Sequence, residues 1–231
     1  MSDLAVQFLS GHIDHRREVR EHSAKFNLNL VTAHHSALNA VISYKNRTPN
    51  RIPKGLKDEE KNILGRMLLM AQFLQGVDIT ETAISEGLYA QAGNLLKQEL
   101  ENLTAIQEFR NGKRKNKNTP NIQNSRYTKF KELYCQYNEI AHPSHEETLE
   151  ALFLGEKNGH RYAKTNPRFH ANVFRKFYGN QATFFVMLFE QMENLFFEAF
   201  EIEGNEEEHR LVEEALSLLS KEKIIFLEPR K

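Results

Sequence analysis

Several things are scarce in this chain, and each scarcity removes a class of function. A single cysteine, Cys135, excludes an internal disulfide framework and a cysteine-cluster zinc site. Lysine plus arginine equals aspartate plus glutamate at 31 each, so net charge alone does not argue for nucleic acid, membrane or acidic partners. No apolar run approaches the roughly 20 residues that span a bilayer. The richest, "ATFFVMLFEQMENLFFEAF" (182–200), is interrupted by Glu190, Gln191, Glu193 and Asn194. Alternation of β-branched residues is almost absent, and no internal repeat is visible. Walker loops, dinucleotide glycine fingerprints and nucleophile elbows are missing, which removes nucleotide-driven and serine-hydrolase chemistry. The first residues lack the apolar stretch and cleavage site of a signal peptide. The expectation is a soluble cytoplasmic protein with no membrane contact and no cofactor.

What is present is helical periodicity. In 26–44, Phe26, Leu30, Ala33, Ala37, Val41 and Tyr44 recur at three- and four-residue steps, and "TPNRIPKG" (48–55) breaks the pattern. A second helix is predicted over 57–76, ending at Gly76, and a third over 78–109, with Gly87 as an alternative break. Ala90, Ala92 and Gly93 would let a neighbouring helix approach closely. The basic segment 110–125 reads as a long exposed loop, followed by a helix over 126–142 with an aromatic stripe of Tyr127, Phe130, Tyr134 and Tyr137. That stripe reads as core, although aromatics can also stack on bases. Cys135, mid-helix, reads as a small buried residue. A short helix after Pro143, a turn or hairpin over 154–167, a buried helix from Arg168 to Phe200 and an amphipathic helix over 201–220 complete the pattern. The fold class is therefore all-α: an N-terminal extension (1–25), a helical bundle (26–220) as one domain, and a tail (221–231).

Two segments carry a resemblance. "SEGLYAQAGNLLKQELENL" (85–103) and "YTKFKELYCQYNEIAHPS" (127–144) together resemble uncharacterised bacterial helical proteins distantly similar to the HEPN superfamily. The resemblance covers about residues 26–200. It implies a HEPN-like bundle, often a homodimer, of a kind found in antiviral defence, toxin–antitoxin and RNA-processing systems. Active HEPN ribonucleases use an arginine ahead of a histidine with four to six residues between them. The histidine moves protons near neutral pH and the arginine grips phosphate. At His142 the matching positions are Tyr137, Gln136 and Cys135, and the nearest upstream cations are Lys131, Lys129 and Arg126. Arg16 and Arg17 stand at the right spacing before His22. Fourteen arginines and ten histidines produce about two such matches by chance, so that pair reads as a solvated helix start.

Two readings of "YNEIAHPSHEE" (137–147) stay open. Pro143 stops a helix and Ser144 caps the next, with Glu147 at capping-box spacing. Neither role requires His142 or His145, which leaves a proton shuttle or ligand contact as the other reading. His142, His145 and Glu146, with His34 or His35, form too loose a pattern to predict a metal site. His34 and His35 point about 100° apart on a helix, so they cannot face one partner.

Arg110, Lys113, Arg114, Lys115, Lys117, Arg126, Lys129 and Lys131 occur without an intervening acid. They form a phosphate-contacting loop, a solvated loop, or partners for the acids of 99–108 and 190–214. The functional expectation is a HEPN-like protein without the standard nuclease motif that binds RNA or a protein partner. Arg110, Lys113, Arg114, Lys115, Lys117, Ser144 and His145 are its candidate contacts. The alternative is a divergent metal-independent endoribonuclease, with His142 as general acid/base and Arg126 or Lys129 holding phosphate, from the same chain or a dimer-related one. A scaffold subunit resting on the Phe-rich helix is a third reading. A homo-oligomer fits all three.

Overall fold

The computed structural model describes residues 2–51, 60–115, 118–141 and 146–226. Among these residues the fold is all-α apart from one two-stranded hairpin. His142, Ser144, His145 and Lys117 lie outside the described residues, as does the junction that contains the first three.

Two helices occupy the N-terminal region, α1 (Ser2–Phe26) and α2 (Leu28–Arg47), parted by one residue. Asn27 is extended, and its side chain accepts from the Leu30 amide, so it caps α2. The stretch expected to be an extension is thus a helix. Val19 and Ser23 are buried, and the Ser23 hydroxyl donates to the Ser85 carbonyl at 2.9 Å. Arg16 pairs with Glu86, and Arg20 reaches Glu81 at 3.1 Å. His22 packs on Phe169. Arg16 is thus held by Glu86, while Arg17 and His22 stay exposed, as the solvated helix start expected of this stretch has them. At the other end of α1, Leu4, Val6, Phe8 and Leu9 are exposed.

α3 (Glu60–Ser85) and α4 (Tyr89–Arg110) follow. The helix expected to end at Gly76 runs through it, since nothing crowds that position and a lone glycine is tolerated inside a helix. The break falls at Gly87. Its φ is +76°, and an added Cβ would sit 2.5 Å from the Arg168 carbonyl oxygen. The Leu88 amide bonds to the Ala83 carbonyl and the Gly87 amide to the Ile84 carbonyl, which is a Schellman ending. Gly93 admits Ile140 from α5 (Phe130–Ala141), the close approach expected of that small-residue stretch.

After α6 (Glu146–Phe153), strands β1 (Leu154–Lys157) and β2 (His160–Ala163) form the antiparallel hairpin. Asn158 and Gly159 both have positive φ, as a two-residue turn of this hand needs. The longest helix, α7 (Ala171–Phe200), spans about 45 Å. It places Phe174, Phe177, Phe184, Phe185, Leu188, Met192 and Leu195 in the core. On one side α2 lies against it with Ala33, Ala37, Ala40 and Val41, while α3 and α4 close the other. Last comes α8 (Glu206–Lys221), set by an Asn205/Glu208 capping box and packed on α2. α8 also ends in a Schellman arrangement, with Lys223 in the left-handed region, and the chain then lays Ile224 against Gly179 of α7. No helix of the described residues is long and apolar enough to cross a membrane.

Candidate functional site

The basic segment is not a free loop. Buried Glu108 anchors it: its carbonyl accepts from the Lys113 and Arg114 amides, and its carboxylate from the Asn121 amide and the Asn124 side chain at 2.9 Å each. Arg114 is drawn back to the same carboxylate and to the Asn118 carbonyl. Lys113 and Lys115 remain exposed. Arg110 pairs with Glu198 at 2.9 Å, and Arg126 with Glu190, so the reading in which these cations meet the later acids holds for both. Tyr127 lies under Arg126 and donates its hydroxyl to Glu190. Burial works against the charge on Arg126, but its bonds to Tyr127 and Glu190 prevail and raise its proton affinity. Phe130 and Tyr137 are buried, so the aromatic stripe is core at those two positions. Cys135 is exposed, contrary to expectation, because it falls on the face of α5 opposite those two residues.

One stripe of α7 organises the polar surface. Its first half, with the start of α5 and the segment after α8, borders a groove of about 740 Å³. Lys129, Arg175, Lys176 and Lys223 line that groove, against one acid, Glu132. Lys129 sits over the Phe226 ring at 4.9 Å, and Arg175 is steadied by Glu222. Sequence reading named only Lys129 of these four. Arg175 and Lys176 sit beside the apolar Phe-rich pattern, and Lys223 joins them only because Ile224 docks on Gly179.

The second half of the stripe closes a smaller pocket of about 100 Å³, lined by Arg66, Gln107, Arg110, Arg126, Gln191 and Asn194 among others. The structure thus brings Arg110 and Arg126 together and adds Arg66, which is 2% exposed and 2.5 Å from Glu198. Burial lowers the proton affinity of Arg66, the Glu198 contact opposes that, and Arg110 reinforces it. Gln107 accepts from the Arg126 amide and the Ser125 hydroxyl through Oε1, which orients the amide. Its Nε2, both amide atoms of Gln191 and the Nε of Arg66 have no hydrogen-bond partner among the described residues.

A third polar cluster lies wholly in the core. Gln181 of α7 gives Nε2 to the Glu99 carboxyl (3.2 Å) and the Val77 carbonyl (3.4 Å), so its Oε1 faces His34 Nε2 at 2.9 Å. His34 therefore carries its proton on Nε2. Its ring stacks on Tyr178 at 4.2 Å. Burial lowers the His34 pKa to about 4, keeping the ring neutral, and raises that of Glu99 to about 8, keeping the carboxyl protonated near neutral pH. His34 and His35 do diverge, with His34 buried and His35 exposed. Among the described residues no group of three or more His, Cys, Asp or Glu could hold a metal ion. No protein-family model matches the chain, and neither a curated protein nor a solved structure does, so its function has to be read from this chemistry.

Proposed function

We propose that the protein binds single-stranded RNA and holds it without cutting it. The observation that carries this reading is the groove beside α7, where four cations and one acid line about 740 Å³ of open space in a chain of zero net charge. Segregated positive charge along a groove is what a phosphate backbone selects. The HEPN-like resemblance of segments 85–103 and 127–144, with a place in a defence or stress module, belongs to the same reading and is fold-level analogy. Cleavage has less support. The two cations assigned to it do not share a site, since Arg126 and Lys129 line different cavities.

Fluorescence anisotropy with a 5′-hydroxyl oligoribonucleotide, titrated with salt, tests this proposal. If three cations each displace a counterion, log K falls against log[salt] with a slope of about −2. Replacing Lys129 and Lys176 together by alanine is expected to flatten that slope by about 1.4, with the RNA recovered intact in EDTA. Absence of binding at low salt, or RNA returned cleaved, would overturn the reading.

A further inference from the structure

We propose that the pocket formed by Arg66, Arg110 and Arg126 is a binding site for a single phosphate group, carried as inorganic phosphate or as a terminal phosphate monoester. Phosphate binding in this pocket is independent of RNA binding in the groove, and charge is its first ground. One carboxylate, Glu198, serves both Arg66 and Arg110, at 2.5 and 2.9 Å, and Glu190 serves Arg126. Three guanidinium groups thus meet two carboxylates, and one of the three is buried, where uncompensated charge is costly.

Hydrogen bonding points the same way. Arg66 Nε, Gln107 Nε2 and Gln191 Nε2 are donors without an acceptor among the described residues. Gln107 and Gln191 are 6% and 4% exposed, so bulk water does not reach them freely. A surplus of donors together with surplus positive charge matches an anion carrying several acceptor oxygens. Gln191 Oε1 lacks a donor as well. A phosphate that keeps one proton can donate to it, whereas sulfate near neutral pH has no proton to give. About three waters, at roughly 30 Å³ each, would also fill the space and satisfy the donors, but they would leave the charge uncompensated. A volume of about 100 Å³ admits one tetrahedral oxyanion and excludes the sugar behind it, so a monoester has to enter phosphate first.

Calorimetric titration of the full chain with sodium phosphate and with sodium sulfate at equal ionic strength tests the site, beside Arg110→Gln and Arg126→Gln. These arginines are 40% and 47% exposed, so both variants are expected to fold, which circular dichroism checks. Saturable phosphate binding, weaker for sulfate and at least about tenfold weaker in both variants, is the expected result. A parallel arm compares 5′-phosphorylated with 5′-hydroxyl oligoribonucleotide. A preference for the phosphorylated strand that disappears in Arg110→Gln would assign the site to a strand terminus, and free phosphate alone would assign it to a small phosphate. Equal heats for wild type and variants, or none with any of the ligands, would overturn the proposal and leave water or an adventitious ion only. The Lys129→Ala, Lys176→Ala double variant keeps phosphate binding if the pocket is real, so the pocket and the groove can fail independently.

Discussion

Two of the places where the molecule buries charge are treated in opposite ways. At the α2–α8 contact, Glu208 is fully buried and fully engaged. Arg47 grips both its oxygens, the Ser43 hydroxyl donates to one, and the Asn205 amide donates to the other within the capping box. Burial would raise the Glu208 pKa, but these donors outweigh it and hold it below the ordinary carboxylate range. At the α3–α7 contact, Arg66 is almost as deeply buried, yet its Nε, the Nε2 of Gln107 and both amide atoms of Gln191 are left without partners among the described residues. A closed network fixes the register between helices. An open one costs stability and is retained where something else fills it. The difference separates a structural charge from a candidate site, and it can be broken from either end.

Breaking the closed end should have the largest effect. Glu208→Ala removes the partner of Arg47 and half of the capping box together. Loss of a buried ion pair costs about 3–5 kcal/mol, but Arg47 is 37% exposed and can turn to water, so about 2–4 kcal/mol is expected. Urea unfolding followed by circular dichroism measures it. A loss below about 1 kcal/mol would mean that the two clusters do not differ as described. Because the folded-state pKa of Glu208 is depressed, its contribution is present above the ordinary carboxylate pKa and disappears as pH falls through the lower folded value.

The core cluster lies between these extremes, and its titration gives a second test. Glu99 holds its proton up to about 8 in the folded state and releases it near 4.5 when unfolded, so it makes stability fall as pH rises from 4.5 to 8. His34 stays neutral down to about 4 when folded and protonates near 6.5 when unfolded, so it makes stability rise between 4 and 6.5. The slopes oppose each other between 4.5 and 6.5, and Glu99 acts alone from 6.5 to 8. Glu99→Gln keeps the hydrogen-bonding shape and removes the proton. Measured against wild type by urea unfolding, it should gain relative stability through that last window, about 1–3 kcal/mol by pH 8.5. A wild-type-minus-variant difference that stays flat with pH would show that Glu99 is ionised or solvated in the fold.

Much of the scaffold was legible in the sequence, because apolar residues at three- and four-residue steps admit few other readings. The Phe-rich stretch became α7, and the Asn158–Gly159 pair sits at the hairpin turn. The misplaced boundary at Gly76 shows the limit of local signals. A glycine ends a helix where the backbone needs positive φ or another segment presses in, and at Gly87 that segment is Arg168, about eighty residues away. The site was half legible. Arg110 and Arg126 stood out because the basic segment lacks acids. Arg66 sits inside the apolar run "ILGRMLLM" and Gln181 inside "FYGNQATFF", and a polar residue at a core position of the helical period was the available signal. Which of these residues meet depends on how α3, α4, α5 and α7 pack, and no local pattern carries that.

At the open end of the comparison, stability should respond far less. Arg66→Met keeps a similar volume and stem, and it removes a buried charge whose partner Glu198 is 39% exposed and can be solvated. Denaturation is therefore expected to shift by no more than about 1 kcal/mol in either direction, while phosphate binding is abolished. A loss as large as that expected for Glu208→Ala would make Arg66 a structural charge and remove the contrast.

The smallest effect on folding should come from the groove. Lys129 and Lys176 are exposed, and their aliphatic stems lie along a rim that is already solvated. Replacing both by alanine should leave stability within about 0.5 kcal/mol of wild type, since isolated surface changes rarely exceed that. The one packing contact at risk is Lys129 over Phe226, and an exposed cation–π pair is worth about 0.5–1 kcal/mol at most. A larger drop in denaturation midpoint, together with easier proteolysis of the segment after α8, would mean that Lys129 chiefly holds that segment down. The groove's positive edge would then be a by-product of anchoring the chain end. Unchanged stability with a flattened salt dependence of RNA binding would instead place both lysines on the same side of the comparison as the arginine pocket, among charges kept for a ligand.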